Sequence, residues 1–213
     1  SYDEMLELAA TGAKVMQSRS VEFAKKFGVK FEVRSSLNNN PGTIVTQESD
    51  SMEAVVVRGV ALDKNQAKVT LVGVPDQPGM AARVFSTLAG ASINIDMIVQ
   101  NISHGTATPA TDLSFTVDKS ELAKAQKVID ELQATVKFAK VIADEDIAKV
   151  SVVGVGMRTH SGVAANVFET LGEHGINIEM ISTSEIKISV VVEGKNGEEA
   201  SRALHTRFFD KET

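Results

Sequence analysis

The amino-acid sequence predicts an α+β protein built on two ferredoxin-like βαββαβ units, preceded by the tail of a larger α/β domain. Three observations lead there. The stretch AKVTLVGVPDQPGMAARVFSTLAGASINIDMI, from Ala67 to Ile98, returns as AKVSVVGVGMRTHSGVAANVFETLGEHGINIEMI, from Ala148 to Ile181. The repeat period of about 80 residues is too long for a solenoid unit and suits a small domain. Within each copy the apolar spacing alternates between strand and helix in the order of the split βαβ unit. The residues before Ser49 do not share the repeat.

In chain order, Asp3 is placed to cap a helix carrying Met5, Leu6, Leu8 and Ala9 on one face, with Gly12 as its stop. A second amphipathic helix is expected over Ser20 to Phe27, ending at Gly28. Strands are expected at Val29 to Val33 and Thr43 to Thr46, around the turn cluster Asn38 to Gly42. This opening is too short to bury a core of its own. An apolar strand, Ala54 to Leu62, follows. The first copy then reads strand 68–74, helix 79–90, strand 94–101, strand 112–118, helix 120–133 capped by Ser120, and strand 135–142. The second reads strand 149–155, helix 161–175, strand 177–183, strand 185–193 and helix 197–209, and lacks a last strand. An open sheet edge is costly, so the strand at Ala54 to Leu62 is expected to complete the second copy, with the first copy inserted.

Composition narrows the function classes. The chain of 213 residues is 43% hydrophobic and 23% charged, as ordinary globular domains are. Its net charge of −6, with acids and bases interspersed, argues against nucleic acid, which needs a basic face. There is no cysteine, hence no disulfide and no thiolate metal site. No apolar run approaches the ~20 residues of a membrane helix, and the acidic opening is no signal peptide. A cytoplasmic location fits these features. The chain does not open with Met, which fits a fragment of a longer protein.

Catalytic constellations are scarce. His104, His160, His174 and His205 are scattered, without metal-ligand spacing. Gly154 and Gly156 follow a strand and precede a helix, yet the third glycine of a dinucleotide turn is missing. No phosphate-binding GxxxxGK[ST] loop and no nucleophile elbow occur. Binding features are richer. In GVPDQPGMA, Pro75 and Pro78 stiffen a loop, and Gly79 lets the backbone approach a ligand at a helix start. Free N–H groups there favour a carboxylate, and Asp76 beside them suits an ammonium group. A free amino acid offers both charges. A well-made turn and cap would use the same residues, and both readings stand at this point. In the second copy Gly162 is kept, Met157 replaces Asp76, and the loop is about two residues longer. Asn94 and Asn177 match, Asp96 is answered by Glu179, and Gln100 stands where the second copy runs Ser182 to Ser184.

The segments VPDQPGMAARVF, INIDMIVQN, VGVGMRTHSGVA, INIEMISTSEIKISVVV and ALHTRF resemble the paired ACT domains at the C-terminus of bacterial aspartate kinase (aspartokinase), STSEIKIS most specifically. The opening DEMLELAATGAKVMQSRSVEFAKKFGVKFEVRSS resembles the end of that family's amino-acid kinase domain. The resemblance implies residues 1–49 as the kinase-domain tail and linker, 67–143 as a first ACT domain, and 54–62 with 147–213 as a second, the two packed side by side. The family makes 4-phospho-L-aspartate from ATP and L-aspartate, on the way to lysine, threonine and methionine. Its ACT pairs bind end-product amino acids and switch the kinase off. Carried over by position, the resemblance implies threonine contacts from Gly79, Ala81, Gln100, Asn177 and Ile178. It implies lysine contacts from Asp76, Asp96, Val163 and Ser184. The kinase's ATP-binding and catalytic motifs are not in this sequence, so the chain alone is expected to be inactive and without cofactor. ATP and Mg belong to the full enzyme. L-threonine, L-lysine, a homodimeric partner through the ACT domains and a kinase domain or catalytic subunit are the implied partners, with no nucleic acid and no membrane. Two other readings remain: a stand-alone amino-acid-binding module, and a dimerisation piece without ligand.

Overall fold

The computed structural model describes residues 1–103 and 110–210, and they fall into two compact units, Asn65–Ala148 and Ser1–Lys64 with Lys149 onward. The continuous unit contains β4 (Gln66–Pro75), α3 (Met80–Gly90), β5 (Ile98–Ser103), β6 (Ala110–Asp118), α4 (Leu122–Val136) and β7 (Lys140–Asp144). Its antiparallel sheet has the order β5-β6-β4-β7. Alternate residues Val69, Leu71, Phe115 and Val117 turn inward and meet Val84 and Leu88 of α3 and Ala125, Ile129 and Leu132 of α4. Strand period 2 against helix period 3.6 makes this one apolar layer. Phe85 meets Phe115 edge to face at 5.5 Å.

The discontinuous unit contains α1 (Tyr2–Ala10), α2 (Ser18–Phe27), β1 (Phe31–Val33), β2 (Thr43–Val45) and β3 (Gly59–Asp63). After the insertion come β8 (Ile147–Val153), α5 (Val163–Glu173), β9 (Met180–Thr183), β10 (Lys187–Glu193) and α6 (Gly197–Phe209). Its four-stranded sheet runs β3-β8-β10-β9. Thus β3 lies beside β8 as β7 lies beside β4, although β3 precedes its sheet in the chain and β7 ends its own. The ladder runs from Gly59 opposite Val153 to Asp63 opposite Lys149. Lys149 is only 1% exposed, and its ammonium lies 3.9 Å from the Asp63 carboxylate. The chain leaves this unit after Lys64 and re-enters at Lys149, so the ladder ends where the insertion begins.

Several element boundaries differ from expectation, each for a local reason. Ser1, not Asp3, caps α1: its hydroxyl accepts the Glu4 N–H at 3.2 Å, while Asp3 sits in the first turn and pairs with Lys25. Asp118, not Ser120, caps the turn leading into α4 by accepting the Ser120 N–H at 2.9 Å. The expected strand from Thr135 begins only at Lys140, because α4 runs on through Val136 and ends with Lys137 in a left-handed conformation. The Ile-Asn-Ile-acid segments lie outside regular strand in both copies, and β5 and β9 start at Ile98 and Met180.

The strand expected from Ala54 begins at Gly59, since 53–57 is used differently. A Cβ on Gly154 would sit 2.2 Å from the Val56 carbonyl oxygen, and one on Gly156 would sit 2.7 Å from those of Glu53 and Val55. These glycines let two backbones pass in contact, which explains a glycine pair that is no nucleotide turn.

The opening segment also belongs physically to this unit. Leu8 packs against Gly59, Glu7 pairs with Lys187 at 2.8 Å, and Glu48 pairs with Arg158 at 2.8 Å. The Glu4 carboxylate, 4% exposed, accepts the buried Val155 N–H at 2.9 Å.

Candidate functional site

In the continuous unit β4 ends at Pro75, and five residues later α3 begins at Met80, behind Gly79. Gly79 is left-handed, φ 90°, with open space where a Cβ would stand, and no side chain caps the helix. The first N–H groups of α3, with the positive end of its dipole, therefore face a place that a carboxylate can fill.

That place is a cavity of about 150 Å³, lined by Asp76, Gln77, Gly79, Met80, Ala81 and Gln100, with Val74, Pro75, Thr111 and Leu113 at its base. The volume is below the ~300–1,000 Å³ of pockets for drug-sized ligands, which suits an amino acid. Thr111, almost fully buried, spends its hydroxyl on the Asn101 carbonyl at 2.7 Å and so makes part of the wall. Asp76 and Gln100 are exposed members of the lining, a carboxylate and an amide. The site thus offers amide donors for an anion, a carboxylate for a cation and a neutral amide for a polar side chain.

Four of the nine residues assigned from sequence, Asp76, Gly79, Ala81 and Gln100, surround this one cavity. Asp96 is not in its lining. It lies in the exposed coil before β5, where its N–H bonds the Thr116 carbonyl at 3.1 Å. The other four belong to the discontinuous unit. Asn177 is exposed and Ile178 half-buried in the coil before β9, and Ser184 is exposed in the hairpin between β9 and β10. Val163 is 6% exposed in the first turn of α5, so a contact from it comes from its main chain.

Sequence reasoning missed Gln77, Met80 and Thr111. It also missed Asp112, whose carboxylate accepts the Gly73 N–H at 2.8 Å where β4 and β6 change register between Leu71 and Val74. A sequence signal existed, for GV after an apolar strand occurs in both copies, but its partner strand lies 39 residues on. Of the expected histidines, His104 lies outside the described residues. Among the described residues no group of three His, Cys, Asp or Glu is placed to hold a metal ion, and no helix is long and apolar enough to cross a membrane.

Comparison with known proteins places this geometry. The family model described as "ACT domain" matches residues 69–133 and 150–208, one match in each copy. The aspartate kinase of Pseudomonas fluorescens is 48% identical over 209 residues, covering 98% of this chain and 50% of the relative. The chain thus spans about half the length of the curated relatives it matches. The regulatory subunit of aspartate kinase from Thermus thermophilus, solved in its ligand-free form, is 41% identical, covers 72% of this chain and 99% of its own, and superposes with a TM-score of 0.66. Aspartokinase III of E. coli, solved with lysine and aspartate in the T-state, is 26% identical, covers 98% of this chain and 45% of its own, and superposes at 0.73. Two α+β units with matching four-stranded antiparallel sheets, their duplicated glycine loops and these likenesses agree: the chain belongs to the ACT-domain family, in the branch of aspartate kinases and their regulatory subunits.

Proposed function

We propose that this chain is the allosteric regulatory region of an aspartate kinase and that it binds L-threonine, L-lysine or both as feedback effectors. The parent activity is transfer of the ATP γ-phosphoryl group to L-aspartate, with ATP and Mg held by a kinase domain or catalytic subunit. The effectors are end products of the lysine, threonine and methionine pathways. The observation that carries the reading is the convergence of Asp76, Gly79, Ala81 and Gln100 on one amino-acid-sized cavity at the α3 N-terminus. A lysine complex of E. coli aspartokinase III supports lysine as one effector.

In this reading the α-carboxylate takes the α3 amides, Asp76 takes a cationic group and Gln100 takes a side-chain hydroxyl. Asn177 and Ile178 are proposed as threonine contacts of the second copy. Asp96, Val163 and Ser184 are proposed as lysine contacts. A homodimer is part of the proposal. Ile98 on edge strand β5 and Ile181 on edge strand β9, equivalent in the two copies, are 51% and 44% exposed. Unpaired edges with an apolar side chain are surfaces that a partner strand covers. An effector that binds the dimer better than the monomer shifts that equilibrium, which is what allosteric control requires.

Isothermal titration with each amino acid, alone and with the other present, tests the proposal, with analytical ultracentrifugation of the same samples. Saturable heat and a shift toward dimer are expected. Silence for both amino acids, with a monomer throughout, overturns it.

A further inference from the structure

The two copies of the glycine loop are built differently, and a structural ruler shows where they part. In the first copy Thr70 on β4 and Ser114 on β6 share a hydroxyl hydrogen bond at 2.9 Å. In the second, Ser151 on β8 and Ser189 on β10 share one at 2.8 Å. Counting from these pairs, Gly73 and Gly154 are equivalent, three residues after Thr70 and Ser151. Asp112 and Lys187 are equivalent as well, two residues before Ser114 and Ser189.

The charge at that second position is reversed, and the backbones follow it. In the first copy the Asp112 carboxylate accepts the Gly73 N–H at 2.8 Å, Gly73 is left-handed at φ 70°, and the ladder shifts register there. The strand bulges there and pairs again at Val74 opposite Thr111 and Pro75 opposite Ala110, and the loop beyond lines the open cavity. In the second copy the Gly154 N–H donates instead to the Ile186 carbonyl at 2.9 Å, and the residue is extended, φ 175°. Lys187 turns to α1, its ammonium 2.8 Å from Glu7. The next amide of that loop, Val155 N–H, donates to the Glu4 carboxylate, one helical turn before Glu7. Backbone of 53–57 lies against Gly154 and Gly156.

We infer that this one strand position sorts the duplicated loops: Asp112 shapes the first copy's loop for a free amino acid, whereas Lys187 makes the start of the second copy's loop a receptor for the chain's own helix α1. Glu4 supplies a carboxylate to the Val155 amide, the position of Val74 in the first copy, and so fastens the start of the second loop to α1. The start of the second copy's loop is therefore tied to α1, while the N-terminus of α5 behind Gly162 has no side-chain cap, as that of α3 has none behind Gly79. Asp112 is a positioning residue: it touches the loop, not the ligand. The first half rests on the proposed amino-acid site, and the second half stands without it.

Two measurements on the whole chain test the assignment. Amide hydrogen exchange and titration with L-threonine and L-lysine are compared for Asp112→Ala and Asp112→Asn. Loss of a hydrogen bond to a charged acceptor is expected to speed Gly73 exchange and weaken binding by about tenfold in Asp112→Ala. Asn keeps an acceptor oxygen and is expected to restore most of both. If Asp112→Ala exchanges at Gly73 and binds as the parent does, the first half is wrong; if the parent binds nothing, the Gly73 exchange still decides it. For the second copy, Lys187→Glu is expected to raise exchange over residues 5–10 of α1, and the swap Glu7→Lys with Lys187→Glu to restore protection. Unchanged exchange in the single variant, or no recovery in the swap, overturns the receptor role.

Discussion

Asp76 and Gln100 share one cavity but offer different chemistry, a full negative charge and a neutral amide. An ammonium group gains more from the carboxylate, and a hydroxyl can use the amide as donor or acceptor. Asp76→Ala is therefore expected to weaken lysine about tenfold and threonine less, and Gln100→Ala to do the reverse, as a charge-assisted hydrogen bond exceeds a neutral one. Titration of both variants with both amino acids checks this, and equal effects would remove the assignment of roles. Neither side chain is buried, so neither change should alter the fold. Gly79 differs in kind: its φ of 90° is a conformation that other residues adopt at a cost, and its contribution to binding is made by the backbone it shapes.

At the scale of elements, the strand that precedes the insertion decides the integrity of the discontinuous unit. Ala61 of β3 is buried and stands opposite Ser151 of β8. A carboxylate at this buried position is removed from water, and an uncompensated buried charge costs about 3–5 kcal/mol. Ala61→Asp is expected to lower amide protection in β8 and β10, while β4 and β6 keep theirs, because the sheet β5-β6-β4-β7 is complete without β3. Peptide-resolved hydrogen exchange distinguishes this from loss across the whole chain. Equal loss in both sheets would show that β3 supports more than its own ladder. The glycine pair at 154 and 156 belongs to the same scale, since the backbone crossing it permits ends where β3 starts.

At the scale of the whole molecule, acidification addresses the attachment of the N-terminal segment. In the 213-residue chain that starts at Ser1, burial pushes the Glu4 carboxyl up, but hydrogen bonds from the amino group on Ser1 and from the Val155 amide outweigh it and hold Glu4 below the ordinary glutamate value of 4.5. A group depressed in the folded state adds stability above its unfolded value and loses it as pH falls through the folded one. Thermal melts are thus expected to fall on acidification below pH about 4.5, and Glu4→Gln to be less stable at neutral pH with a flatter acid limb. A parallel acid limb in the variant would show that other carboxylates carry the effect.

The sequence by itself determined the duplication, the βαββαβ order of the first copy and the loop residues Asp76 and Gly79, whereas Ala81 and Gln100 were named by resemblance to a family. The former rest on local periodicity and on a loop whose Pro, Asp and Gly act within a few residues of one another. The supply of a strand from before the insertion was also legible, because a missing strand and a spare one are both visible in a pattern of apolar runs. Tertiary structure alone decided how the two loops differ. The pairing of Gly73 with Asp112, of Val155 with Glu4 and of Lys187 with Glu7 joins residues far apart in the chain. The need for glycine at 154 and 156 is set by a strand-free stretch about 100 residues earlier. Contacts of that kind leave no periodic mark, since a hydrogen bond depends on where two backbones meet and not on the spacing of residues along either one.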